Sequence, residues 1–309
     1  MYRTLQAGRH PSSHHVRGPG FQTSKQLYFT IDCDWVPGSQ KGLAAILDCC
    51  DRYHMKATVF FTGRFAEAYP ELVRDCHLRG HLLGTHGWAH GGLEVDEDFR
   101  TADYEKQRQW IRWATEAVEQ AAGVRPLIFR APNLWISETT LRVLEEEGYL
   151  YDSSVPARRF DFGFGRVHYL KYFSAPFEPY RPSGTDLSVA GESSVTEIPP
   201  SACLFPINMA SLRVLGLPVL GKMIDWIGRH SRHLVFYCHP SEFVHAKDQV
   251  FPKAMSKWNQ MGMGPKNLPL IETLLDYLFE RHFVPTPMMP NVVPQLDLTQ
   301  PVVLRAGGF

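Results

Sequence analysis

Leu27-Tyr28-Phe29-Thr30-Ile31-Asp32-Cys33-Asp34-Trp35 is a short apolar run that ends in two acids. Leu27–Ile31 is β-branched and aromatic, which predicts a buried strand. In an extended backbone residues i and i+2 share a face, so Asp32 and Asp34 point the same way at the strand's C-terminal end and Cys33 points away. Downstream, helical sequence at about 41–54 leads to a second strand candidate, Ala57–Thr62. A predicted helix near 65–79 ends at Gly80, a residue suited to the position after a helix. His81–Thr85 is a third strand candidate, and a long amphipathic helix at about 98–122 stops at Gly123. Leu127–Arg130 is the fourth strand. Ser137-Glu-Thr-Thr signals a helix start, Gly148 its end, and Tyr149–Asp152 the fifth strand. Val195–Ile198 and Leu234–Cys238 complete the strands, with 268–281 as a closing helix.

Strands alternating with helices predict a mostly parallel sheet covered by helices. The six or seven strand–helix units suit an α/β fold of the distorted or incomplete (β/α) barrel type, seven-stranded, more than a doubly wound open sheet, although periodicity alone allows both. The barrel is expected over 27–290, with a disordered N-terminal tail at 1–26 and a C-terminal tail at 291–309. Residues 1–26 carry basic residues but no acid and are rich in Gly, Pro and Ser, too little to bury a core. Residues 155–193 are rich in Pro, Gly and aromatics without periodicity and read as an ordered insertion or lid. Its aromatics, Phe160, Phe162, Phe164, Tyr169, Tyr172 and Phe173, could stack on sugar faces or form the insertion's own small core.

Lys plus Arg and Asp plus Glu both number 32 in the 309 residues, so no overall field points to nucleic acid or an anionic membrane. The six cysteines form no CxxC pair and read as reduced thiols. No apolar run is long enough to span a membrane and the N-terminus lacks a signal peptide's apolar centre, so a cytoplasmic location is expected.

Polar residues collect at the strands' C-terminal ends, where barrel enzymes place their chemistry. A lone Asp-x-Asp could equally be two solvated acids capping the next helix. His86-Gly-Trp-Ala-His90 offers two imidazoles four residues apart, within reach of one ion if the loop turns helically. Two histidines and a carboxylate would leave a coordination position open for water, as catalytic sites do. Arg130, in Phe-Arg-Ala-Pro132-Asn133, and His239, in Phe-Tyr-Cys-His-Pro-Ser-Glu242, end two further strands. Alone they could be a surface ion pair and a core histidine; together with the others they supply the base, charge stabiliser and acid that amide hydrolysis needs.

On these motifs the chain resembles the polysaccharide deacetylases with the NodB homology domain, carbohydrate esterase family 4, over roughly 27–285. Thr30-Ile-Asp32-Cys-Asp34 resembles the family's first motif in its Asp-x-Asp variant, His86-Gly-Trp-Ala-His90 the second, Arg130-Ala-Pro132 the third and His239 the fifth. Val195-Thr-Glu-Ile-Pro and Pro179-Tyr-Arg-Pro-Ser also resemble segments of such members. The resemblance implies a distorted seven-stranded barrel and one divalent ion, zinc, on Asp34, His86 and His90. It further implies removal of an N-acetyl group from an acetamido sugar, with Asp32 as general base, Arg130 its ion-pair partner and His239 the acid for the departing amine. Two departures stand out. Asn133 replaces a commonly aromatic residue whose N–H would hold the oxyanion, leaving Trp135 as a candidate groove wall. The fourth motif is missing, and Asp152 in Tyr-Asp-Ser-Ser is the nearest counterpart of the acid that tunes the histidine, if it is not a helix cap. A deformylase or cyclic-amide hydrolase and an inactive glycan-binding paralogue are the competing readings. The expected substrate is an N-acetylated sugar, soluble or lipid-linked, and no nucleic acid.

Overall fold

A computed structural model of the protein describes residues 24–90, 97–160, 170–251 and 260–289. The two tails expected at the termini, apart from Ser24, Lys25 and Gln26, lie outside the described residues, as do Phe162, Phe164 and Tyr169. Strand β1 (Lys25–Cys33) begins two residues before the expected run and extends two past it. It is followed by α1 (Gln40–Arg52), β2 (Thr58–Phe61), α2 (Gly63–Ala68), α3 (Pro70–Leu78) and β3 (Leu82–Thr85). The single helix expected near 65–79 is thus two. Pro70 disfavours helical backbone at the residue before it, and Tyr69 sits at φ −136°, ψ 54° between the two pieces.

Next come α4 (Tyr104–Ala122), β4 (Ile128–Phe129), α5 (Glu138–Glu146) and β5 (Tyr151–Asp152). Asp103 caps α4 by accepting from the Lys106 N–H, and Gly123 closes it at φ 77°. Ser137 and Thr140 form a capping box on α5. The insertion contains an unforeseen hairpin, β6 (Pro182–Ser183) with β7 (Asp186–Ala190), before β8 (Thr196–Glu197). A small pair, β9 (Ala202–Cys203) and β10 (Phe205–Pro206), precedes α6 (Met209–His230), β11 (His233–Cys238), α7 (Asn267–Phe279) and β12 (Phe283–Pro285).

The main sheet runs β11-β1-β2-β3-β4-β5-β8, all parallel, with β12 alongside the start of β1. These seven strands curl into a half-barrel, a distorted (β/α) barrel with no ladder between β8 and β11 among the described residues. Alternation along each strand sorts the side chains. Phe29, Ile31 and Cys33 join the large core between sheet and helices, together with Leu234, Phe236 and Cys238 of β11. Tyr28 and Val235 face the other way, into a smaller cluster with Phe60, Ile128, Ile198, Met288 and Met289 that plugs the lower half of the barrel. Continuing up that same face, Thr30 and Asp32 of β1 with Asp34 just past its end, and Tyr237 of β11 with His239 just past its end, arrive at the upper mouth.

The insertion is anchored by Tyr172, fully buried in a third cluster with Val155, Ala157, Ala175 and Leu187, its hydroxyl donating to the Ile136 carbonyl at 3.1 Å. Phe160 is exposed and Phe173 half-buried, so the insertion has both a core residue and outward aromatics. All six cysteines are free thiols, five of them buried. Among the described residues no helix is long and apolar enough to cross a membrane.

Candidate active site

β1 delivers Asp32 and Asp34, the loop after β3 delivers His86 and His90, β4 delivers Arg130 and β11 delivers His239. One ligand atom from each of Asp34, His86 and His90 lies within 4.8 Å of the others. The loop that presents the histidines is not the helical turn expected from their spacing. It is held open by hydrogen bonds from several sides: His86 N–H to the Phe61 carbonyl (2.8 Å), Gly63 N–H to Gly87 (3.0 Å), Arg64 N–H to Trp88 (2.8 Å) and Trp35 N–H to His90 (2.7 Å). Glu97, 3% exposed, closes the loop from below, accepting from the Trp88 N–H at 2.7 Å and the Ala89 N–H at 2.9 Å. Gly87 allows this approach: its φ is 69°, and a Cβ there would lie 2.9 Å from Glu97 Oε2 and from Pro132 Cγ.

His86 Nδ1 lies 2.8 Å from the Arg130 carbonyl, an acceptor, so Nδ1 is the donor of this pair and Nε2 is the atom turned toward Asp34 Oδ1, 3.4 Å away. Asp34 Oδ1 is buried and has no hydrogen-bond partner among the described residues. Two imidazole nitrogens with one carboxylate oxygen make a donor set that fits a divalent ion. The charge states agree. Burial opposes ionisation of Asp34, but the imidazoles of His90, His239 and His86 offset it and hold the carboxyl well below its usual range. Burial likewise drives His90 down to about 4, against the pull of Asp34.

Beside these three residues is a buried ion pair. Arg130, fully buried, donates from Nη1 to Asp32 Oδ1 (2.8 Å) and Thr30 Oγ1 (2.7 Å), from Nε to the Ser153 carbonyl (3.0 Å) and from Nη2 to Ser153 Oγ (2.9 Å). The Phe60 ring covers its guanidinium at 4.3 Å. A carboxylate 3% exposed and held from one side by a fixed cation keeps its second oxygen available for a proton.

His239 is paired with Glu242, which sequence reasoning did not single out. The carboxylate is 3.2 Å from Nδ1 and also accepts the His239 backbone N–H at 2.9 Å, while Arg213 donates to its other oxygen at 3.0 Å. Burial lowers the imidazole's pKa, but Asp34, Glu242 and Asp32 outweigh it and bring it up to about 9. The ring is therefore a proton carrier near neutral pH, with Nδ1 occupied by Glu242 and Nε2 left to serve the mouth.

Asp152 does not serve His239, and no helix begins after it. It is 2% exposed and pairs in register with Glu197 on β8; its place beside the histidine is taken by Glu242, three residues along the same loop. Asn133 is exposed in a tight turn, with Asn133 and Leu134 both left-handed at φ 55° and 57°. Trp135 stacks under the Arg100 guanidinium at 3.6 Å, and its buried Nε1 has no hydrogen-bond partner among the described residues.

Residues 21–151 match the polysaccharide deacetylase family model, a span that includes Asp32, Asp34, His86, His90, Glu97 and Arg130 but not Asp152, His239 or Glu242. Among curated proteins, the peptidoglycan-N-acetylglucosamine deacetylase of Bacillus cereus is 32% identical over 34% of this chain and 36% of its own. The chitooligosaccharide deacetylase of Azorhizobium caulinodans is 32% identical over 41% of this chain and 57% of its own. The chain thus spans about half or less of the length of most curated relatives it matches. Among solved structures, a candidate polysaccharide deacetylase from Mycobacterium smegmatis superposes with a TM-score of 0.52 at 17% identity, covering 87% of this chain and 96% of that one. A carbohydrate esterase family 4 pseudoenzyme from Bacillus anthracis gives 0.50 at 11% identity, covering 84% and 63%. At these identities the two structures speak for the fold alone. Residues 21–151 are thus similar in sequence to the polysaccharide deacetylases, and the half-barrel is a fold shared with these two solved structures.

Proposed function

We propose that this protein is a metal-dependent amide hydrolase that removes the N-acetyl group from an acetamido sugar in a glycan or glycan precursor. The observation that carries the proposal is the Asp34, His86 and His90 cluster with the Asp32–Arg130 pair beside it on one inward face. Relatives named as deacetylases of peptidoglycan and chitooligosaccharide support the substrate class. Bound by Asp34, His86 and His90, a divalent ion, zinc in this reading, supplies Lewis acidity that polarises the amide carbonyl and makes water a competent nucleophile near neutral pH.

The protein's own groups do the rest. Asp32, fixed by Arg130, takes the proton from the attacking water through its remaining oxygen. Arg130 keeps that carboxylate at one orientation and leaves no conformational search to be made during the reaction. His239, charged through Asp34, Glu242 and Asp32, gives its proton to the departing sugar amine, which makes the C–N cleavage irreversible below the amine's own pKa.

The test is acetate release by the purified full chain from chitooligosaccharides and peptidoglycan fragments, with N-formyl sugars and cyclic ureides in the same panel. Acetate and a free amino sugar are expected, abolished by Asp34→Ala. Turnover of a cyclic ureide alone, or glycan binding without hydrolysis anywhere in the panel, would overturn the reading.

A further inference from the structure

Directly behind Arg130 lies a second polar cluster that the reaction does not use. Asp152 (2% exposed) and Glu197 (fully buried) are register partners on β5 and β8, and both carboxyl groups close on Ser154, Glu197 taking its backbone N–H and Asp152 its hydroxyl. Two acids buried side by side cannot both stay ionised, so the pair keeps a proton. Burial, together with the repulsion between the two acids, pushes Glu197 far above the usual carboxylic range, while Asp152 is raised less because Arg130 and its hydrogen bonds favour its charge.

These carboxyl oxygens are engaged with the segment after β5. Glu197 Oε1 accepts the Ser154 and Val155 N–H groups at 3.1 and 3.0 Å. Asp152 Oδ1 accepts the Ser153 N–H at 2.8 Å and the Ser154 hydroxyl at 2.5 Å. The segment so held grips the next strand: Ser154 Oγ accepts the Ala131 N–H at 2.8 Å, and Ser153 takes Arg130 Nε and Nη2. Ser153 in turn donates to the Ile198 carbonyl at 2.7 Å, returning to the residue after Glu197.

We infer that Asp152 and Glu197 share one proton and act as a clamp that seats Ser153 and Ser154 on the Arg130–Ala131 turn, making Glu197 a positioning residue for the Arg130 guanidinium and, through it, for Asp32. This rests on the hydrolytic reading of Asp32 and Arg130. The chemistry of the pair sets a distinctive pattern for substitutions. In Glu197→Gln the amide oxygen can accept both backbone N–H groups while the NH2 donates to Asp152, so the shared proton is replaced in kind. In Asp152→Asn the same holds with donor and acceptor exchanged, Glu197 being the acceptor. Combining both substitutions sets NH2 against NH2, or turns one NH2 toward a backbone N–H, and in either case buried donors are left without acceptors.

The experiment measures thermal unfolding at pH 7, and kcat and KM for acetate release from a chitooligosaccharide, on the full chain and four variants: Glu197→Gln, Asp152→Asn, the two combined, and Glu197→Ala. Each single amide is expected to stay within about 2 °C in Tm and about threefold in kcat. The double amide and Glu197→Ala are expected to lose about 5 °C, and about tenfold in kcat with KM moved less than about threefold, because the reacting carboxylate is misplaced rather than the sugar lost. A double amide equal to the singles, or a Glu197→Gln that falls as far as Glu197→Ala, would overturn the shared proton. If the wild type releases no acetate from any glycan, the deacetylase reading fails, and the Tm pattern still decides the clamp.

Discussion

Glu97→Gln isolates what holds the histidine loop in its open shape. Each carboxylate oxygen takes one backbone N–H, at 2.7 and 2.9 Å, and the residue is 3% exposed. The substitution keeps size and shape but turns an NH2 toward one of those N–H groups. Leaving one buried donor unsatisfied costs about 1–3 kcal/mol. Glu97 acts on the loop's backbone, and the loop's other hydrogen bonds to Phe61, Gly63, Arg64 and Trp35 persist. The cost is therefore expected to fall on the geometry between His86 and His90. At 1.4 kcal/mol per tenfold, about 2 kcal/mol is a loss of roughly 30-fold in metal affinity, within the range seen when outer-shell partners of ligands are removed. The assay is isothermal titration of the metal-free chain with zinc at pH 8, with thermal unfolding of the metal-free protein as the control for folding. A variant that binds zinc as tightly as the wild type would refute the reasoning, since it would show that the loop's shape does not depend on its carboxylate floor.

Two further outcomes are expected. Arg130→Met should cost about 3–5 kcal/mol in unfolding free energy by denaturant titration, because it strands the Asp32 carboxylate at 3% exposure; a loss below about 1 kcal/mol would mean that the pair is not buried as described. In the metal-free chain the His239 pKa is raised from 6.5 in the unfolded chain to about 9 when folded. Its contribution is therefore fully present below pH 6.5 and lost as pH rises through 9, at most about 3 kcal/mol. Tm measured from pH 6 to 10 should fall more steeply for the wild type than for Glu242→Gln, and parallel curves would contradict the pairing.

Much of the fold could be read along the chain because the strands are short, buried and punctuated by Gly and Ser caps. Asp32 and Asp34 were legible as a same-face pair from the strand period alone, and Arg130 and His239 from their places at strand ends. The division at Pro70 was also written in the sequence, since the residue before a proline resists helical backbone, but the apolar period on both sides masked it. β12 escaped notice because Phe283-Val-Pro is only three residues long, and the hairpin at 182–190 because its strands are half-exposed and lack a clean alternation. The missed site residues share a different cause. Glu97 acts on backbone N–H groups, and such bonds leave no signature in the spacing of side chains. Glu197 meets Asp152 only through strand register across a long insertion. Glu242 carried a local signal, a proline at the first position of a turn and an acid two residues later reaching back to His239, which marks a capping box rather than a catalytic partner until the ring is seen beside it.

The central claim is that Asp34, His86 and His90 form one divalent-ion site. Titration of the metal-free full chain with zinc, against Asp34→Ala and His86→Ala, tests it most directly. The account predicts one ion per chain for the wild type and at least a hundredfold weaker binding, as an order of magnitude, for either variant. A wild type that binds no divalent ion, or an Asp34→Ala variant that binds as tightly as the wild type, would contradict it.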